Sequence, residues 1–308
     1  MEFKKENGTF KSTDGIHSIH YSVFIPEEVK AVVVIVHGMC EFKERYDCFS
    51  EFLAQNGIAS LSYDQLGHGQ TILDDSEKGW FGEKDGVEYI QGDVLKAISF
   101  MKSKFPDKKT ILFGHSMGSF IVRYFTVYNP KEIDALIISG TSGGNNAIDI
   151  AIAFSSIISR LNGSKYVHKL LNTLTMGSNN KKFEKMGETS PSAWITRDKE
   201  MQKQCDKNMF IFTAQGFCDM FRMLKFVSSS EWYKLYPKKL PTFLVSGQDD
   251  PIGDFGKGVI SVYMKLKIKK AENVEVKLFK DCRHEPINEL NKDEVFNEIL
   301  KWINNTIS

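Results

Sequence analysis

Thr110-Ile111-Leu112-Phe113-Gly114-His115-Ser116-Met117-Gly118-Ser119 is the stretch that decides the fold. Its first four residues form a short apolar run with strand character. Residues 119–128 are apolar, free of glycine and suited to a helix. Between them, Gly114-x-Ser116-x-Gly118 sets a serine on a sharp strand-to-helix turn, the arrangement of a nucleophile elbow. The flanking glycines fit that turn, because a Cβ at either position would clash in so tight a bend. A helix starting just after the serine aims its first N–H groups at it, where a developing oxyanion would be stabilised.

Outward from this motif, strands and helices alternate. Ala31–Val36 is an unbroken β-branched run, the mark of a strand buried on both faces. Ile58–Tyr63, residues 110–113, 133–139 and 242–246, and Val274–Phe279 read as further candidate strands. Helices are expected near residues 45–55, 87–104, 119–128 and 255–267, and residues 294–303 close the chain. Such alternation predicts an α/β fold, a mostly parallel central sheet flanked by helices. Residues 8–25 read instead as a hairpin turning at Ser12-Thr13-Asp14-Gly15.

The alternation breaks once. From about residue 141 to 239 no buried strand is apparent, and the segment holds residues 148–161, apolar around most of a helical circumference, and the aromatic stretch 210–226. The expected division is therefore a core from 1 to 140, a helical cap from 141 to 240 inserted between two strands, and the rest of the core from 241 to 308. The insertion starts at the carboxyl edge of the sheet, the edge that bears Ser116 and at which such folds bind ligands.

A nucleophilic serine needs a base and a group to orient that base. Of seven histidines, His284 falls late in the chain at a strand end, which fits the order serine, acid, histidine. His17 and His20 read as opposite-face strand histidines rather than a metal pair. The acid lies in Gly247-Gln248-Asp249-Asp250-Pro251, where Asp250 is favoured and Asp249 is left as a supporting or surface residue. Two backbone donors are needed for the oxyanion: Met117 N–H, next after the nucleophile, and Met39 N–H in His37-Gly38-Met39-Cys40-Glu41, where Gly38 permits close approach.

Composition narrows the function classes. At 42% hydrophobic, 308 residues can bury a substantial core, and a net charge of +1 gives no argument for nucleic acid. The basic run 265–270 reads as a solvated helix face. No apolar run approaches the ~20 residues of a membrane span, and residues 1–5 lack the apolar core of a signal peptide. Five irregularly spaced cysteines suggest reduced thiols and a cytoplasmic protein.

Read together, these motifs resemble the α/β-hydrolase superfamily and, within it, the monoacylglycerol lipase and lysophospholipase group of serine aminopeptidase-like hydrolases. The resembling residues are His37 to Glu41 with Arg45-Tyr46, Tyr63-Asp64-Gln65-Leu66-Gly67-His68-Gly69-Gln70, Gly114 to Ser119, Gly247 to Pro251, and His284-Glu285. They cover nearly the whole chain outside 141–239. The chain departs from the pattern at Cys40, where the lipases often have glycine. The resemblance implies the acid at Asp250 and the oxyanion donors at Met39 and Met117. The expected protein is a serine hydrolase of medium- or long-chain carboxylic esters, of monoacylglycerol or lysophospholipid type, without metal or organic cofactor. Its expected partners are a small acyl ester or lipid, with transient membrane or micelle contact through the cap. An aminopeptidase on the same fold would need a carboxylate for the substrate amine. Glu184, Glu188 and Asp219 are available, each read more readily as a solvated surface group. A small-ester esterase would share the whole motif set. A non-catalytic binding protein on this fold would normally carry a damaged triad, and here every member is present.

Overall fold

The run Ala31–Val36 has every residue buried, and its side chains divide by parity between two cores. Val32, Val34 and Val36 enter one, with Leu112, Leu136, Ile138 and Leu244. Ala31, Val33 and Ile35 enter the other, with Ile111, Phe113, Ala135, Ile137, Phe243 and Val245. These central strands are therefore buried on both faces because helices cover the sheet on both sides, as in parallel sheets generally. A computed structural model describes residues 2–144 and 147–308, without the side chains of 174 and 176. Asn145 and Asn146, inside the expected cap, and Met1 lie outside the described residues.

The strands are β1 (Phe3–Lys11), β2 (Ser18–Pro26), β3 (Ala31–Val36), β4 (Ile58–Tyr63), β5 (Lys109–His115), β6 (Ala135–Ser139), β7 (Thr242–Gly247) and β8 (Val274–Phe279). They form one sheet in the order β1-β2-β4-β3-β5-β6-β7-β8. The β1–β2 and β2–β4 pairings are antiparallel and the others parallel. The core helices are α1 (Asp47–Gln55), α2 (Gly86–Lys104) and α3 (Met117–Tyr128). Between β6 and β7 come α4 (Ile148–Asn162), α5 (Lys169–Met176), α6 (Lys181–Lys185), α7 (Lys199–Asn208), α8 (Ala214–Ser228) and α9 (Ser230–Leu235). Then α10 (Lys257–Ile268) and α11 (Lys292–Ile307) complete the chain. No helix among the described residues is long and apolar enough to cross a membrane.

Several expectations change in detail. The helix expected over 45–55 is a 3₁₀ turn, Lys43–Tyr46, followed by α1. The one expected from 255 starts at Lys257, because Asp254, Phe255 and Gly256 all have left-handed φ values (48°, 53° and 85°) and cannot continue a right-handed helix. His17 is not a strand residue. It precedes β2 in the hairpin turn, where its ring sits buried between Asp14 and Glu77, with Nε2 3.0 Å from the Glu77 carboxylate.

Candidate active site

Three parallel strands deliver the chemistry to one edge of the sheet. β5 ends at His115, and Ser116 turns sharply with φ 52° and ψ −118°, a region that non-glycine residues occupy only under strain. Its N–H donates to Ser139 O at 2.9 Å, which holds the turn against the end of β6. The glycine requirement is steric on both sides. A Cβ on Gly114 would lie 2.4 Å from Gly118 O, and one on Gly118 would lie 2.1 Å from Val36 O.

The structure brings Ser116, His284 and Asp250 into one hydrogen-bonded chain. Ser116 Oγ lies 2.8 Å from His284 Nε2, and His284 Nδ1 lies 2.9 Å from Asp250 Oδ1. Asp250 is fully buried, and its carboxylate also accepts from Ile252 N–H at 2.9 Å and Ser246 O–H at 3.0 Å. With a carboxylate on Nδ1, that nitrogen carries the proton and Nε2 presents its lone pair to the serine. Burial alone would lower the His284 pKa. The charge and hydrogen bond of Asp250, joined by the charges of Glu285 and Glu41, together outweigh burial, so the pKa is raised. Asp249, one residue earlier, is separate from this chain; it is 43% exposed and pairs with Lys182 at 2.8 Å.

Met117 is the first residue of α3, so its N–H has no partner within the helix. Met39 lies in the loop after β3, and Met39, Met117 and Ser116 line the same cavity. The approach of the two loops is close: a Cβ on Gly38 would lie 3.0 Å from Ser116 Cβ. Cys40 has a φ of 61°, a conformation that glycine adopts without steric cost. The departure at Cys40 therefore places a side chain in left-handed backbone. Its N–H donates to His68 Nε2 at 3.3 Å, and its Sγ lies 3.1 Å from Phe210 O.

The residues that hold this loop have no role that their sequence positions reveal. His37 Nδ1 lies 2.7 Å from Gly38 O, and its Nε2 accepts from Gln65 N–H at 3.1 Å. Burial pushes the pKa values of His37 and His68 down to about 4 and about 3, so both rings are neutral staples at neutral pH. Glu41 accepts from Gly38 N–H at 3.2 Å and Tyr46 O–H at 2.6 Å. Burial and the charge of Glu285 raise the Glu41 pKa, whereas Arg45, paired with Glu285, keeps Glu285 ionised. Glu41, His115 and Glu285 offer ligand atoms within 4.8 Å of one another. With Arg45 on one carboxylate and two donors on the other, this set is an ion-pair and hydrogen-bond network. The motif positions Glu41, Arg45 and His68 are visible in the sequence; their contacts are not.

The segment between β6 and β7 also reaches the histidine loop. Trp194 lies with its ring 5.1 Å from that of His284, and Glu285 N–H donates to Ile195 O at 2.9 Å. Two of the three carboxylates expected to be solvated are not. Asp219 is buried, and burial raises its pKa to about 7. Glu188 pairs with Arg283, the neighbour of His284, at 2.8 Å. None of Glu184, Glu188 and Asp219 lines the cavity.

The model of the Hydrolase_4 family, described as serine aminopeptidase, S33, matches residues 27–291. The chain belongs to that family. It is 27% identical to the monoglyceride lipase homolog of Monkeypox virus over 288 residues, 90% of this chain and 91% of the relative. It is 23% identical to the monoglyceride lipase of Homo sapiens, over 89% and 82% of the two chains. The fold matches that of a highly thermostable carboxyl esterase from Bacillus coagulans with a TM-score of 0.91 over all of both chains, at 24% identity. The chain is thus an α/β-hydrolase of the monoacylglycerol lipase-like group and a serine ester hydrolase.

Proposed function

We propose that the protein cleaves carboxylic esters of medium or long acyl chains, of monoacylglycerol or lysophospholipid type, through an acyl-enzyme on Ser116. The observation that carries this reading is the Ser116–His284–Asp250 chain of hydrogen bonds at the wall of a largely apolar cavity of about 780 Å³. His284 removes the Ser116 proton as Oγ attacks the ester carbonyl, and Asp250 stabilises the imidazolium that forms. Met39 and Met117 N–H groups hold the oxyanion. His284 then protonates the leaving alcohol and activates the water that frees the acid. The monoglyceride lipases among the relatives support a glycerol ester as substrate. An aminopeptidase activity loses support, since none of the three acidic residues considered for the amine lines the cavity, and the two carboxylates that do, Glu41 and Glu285, are engaged by Gly38 N–H and Tyr46 O–H and by Arg45.

In this reading residues 141–240 are the cap and α4 gives the acyl site one wall. Ile148, Ile150, Ala151 and Phe154 line the cavity, whereas Ile152 packs on the core cluster instead and Ile158 is buried. Ile150, Ile157 and Leu161 are exposed, which supports transient contact with a membrane or micelle. Turnover is expected to improve as the acyl chain lengthens from acetyl to about octanoyl, because each buried methylene contributes up to about 0.8 kcal/mol. Phe154→Ser is expected to raise KM more for long chains than for short ones. Steady-state kinetics on a p-nitrophenyl ester series checks both, and a profile that is flat or peaks at acetyl overturns the acyl-site reading in favour of a small-ester esterase.

The acid is tested by its neighbour. Asp250→Asn is expected to lower kcat by up to about 10⁴, the scale seen when a triad acid is made neutral. Asp249→Asn removes only a partly exposed ion pair with Lys182, so its effect on kcat is expected to stay within about twofold. Rate measurements showing the reverse ranking would place the acid at Asp249.

A further inference from the structure

Arg123 lies on α3, the helix that begins next to Ser116, and takes no part in the chemistry above. Its side chain is 0% exposed, and its acceptors are neutral. Nη1 donates to Thr141 Oγ1 at 3.1 Å and Ser142 O at 3.0 Å, and Nη2 donates to Val227 O at 2.5 Å. The guanidinium carbon lies 4.5 Å from the centre of the Trp232 ring, and the indole N–H donates back to Arg123 O at 2.7 Å. A cation this deeply buried is costly unless several acceptors converge on it. Packing alone would be served by an apolar side chain of the same length.

The acceptors occupy two places in the chain. Thr141 and Ser142 follow β6 after the single residue Gly140 and open the segment that ends at β7; Ser142 lines the cavity. Val227 belongs to the last turn of α8, whose carbonyls form the negative end of that helix, and Trp232 belongs to α9, where the segment returns to the core. The outgoing crossing also contains Gly140 and Gly144, with φ values of 57° and 80°, so the backbone turns there through conformations open to glycine. A second tie reinforces it: Ser119 Oγ and Thr141 Oγ1 lie 2.8 Å apart. One planar fork thus holds both crossings of the segment against the helix that carries the elbow, a geometry for which a lysine offers only a single nitrogen.

We propose that Arg123 is the hinge pin of the cap, a positioning residue that fixes both of its crossings to the core and so keeps the acyl site in shape. The proposal rests on the reading of 141–240 as a cap over that site. The test compares the full-length protein with Arg123→Met and Arg123→Lys. Hydrogen exchange followed by mass spectrometry over peptides 138–144 and 224–232 is expected to quicken by about tenfold or more in Arg123→Met, with sheet peptides 31–36 and 111–115 unchanged. KM for p-nitrophenyl decanoate is expected to rise about tenfold while KM and kcat for the acetate stay within about threefold. Arg123→Lys moves both readouts in the same direction by less. If Arg123→Met does not fold, Arg123→Lys decides. A folded variant with wild-type exchange at both hinges and an unchanged decanoate-to-acetate KM ratio overturns the proposal. A flat chain-length profile in the wild type ends the acyl-site reading and leaves hinge exchange to decide the pin.

Discussion

Ser116→Ala is expected to lower kcat by about 10⁶, the scale of losing the nucleophile from a serine hydrolase triad. Folding is expected to survive, because the turn is held by backbone. Ser116 N–H bonds to Ser139 O, and Ser119 N–H and O–H reach Ser116 O at 2.9 and 2.5 Å. Alanine keeps the Cβ, and the contacts of the neighbouring glycines are untouched. What disappears is the oxygen 2.8 Å from His284 Nε2. A fluorophosphonate probe is expected to label the wild type at a single site and the variant not at all, with unchanged circular dichroism. Equal labelling of both proteins would move the nucleophile elsewhere.

The sheet is legible in the sequence because its signal is local. Ala31–Val36 reads as doubly buried from six consecutive residues, and the elbow reads from two glycines flanking a serine. Asp250 and His284 can be chosen for the same reason, since each sits in the loop just beyond a strand end and strand ends of a parallel sheet share an edge. What escapes depends on partners distant in sequence. Glu41, Arg45 and Glu285 are charged residues that would ordinarily face water, and they are buried because they meet one another and Tyr46. Asp219 reads as solvated for the same reason, and only the packing of α8 shows it enclosed. The start of α10 is misplaced by sequence because the left-handed backbone at Asp254 and Phe255 has no signature in those side chains. Ile152 shows the limit of periodicity on a helix apolar on several sides: the sequence says that more than one face is covered, not which face meets the cavity.

His284→Ala is expected to cost about as much as Ser116→Ala, because a triad works as a unit and loss of the base alone removes nearly all of its contribution. The wild-type pH profile tests the same residue without mutation. A protonated imidazole cannot accept the serine proton, so kcat/KM rises as His284 loses its proton in the free enzyme. Burial works to lower that pKa below the usual 6.5, and the Asp250 carboxylate, with the charges of Glu285 and Glu41, together raise it by more. The ascending limb is therefore expected to lie above 6.5. In Asp250→Asn the opposing charge is gone while the burial remains, so the limb is expected to move to lower pH even as the plateau falls. Two variants thus carry different signatures: His284→Ala removes the limb together with the activity, and Asp250→Asn keeps a limb and shifts it toward acid. A His284→Ala protein that retains wild-type turnover would assign the base to another residue. A limb that stays fixed in Asp250→Asn would mean that the carboxylate 2.9 Å from Nδ1 does not set the charge of the ring.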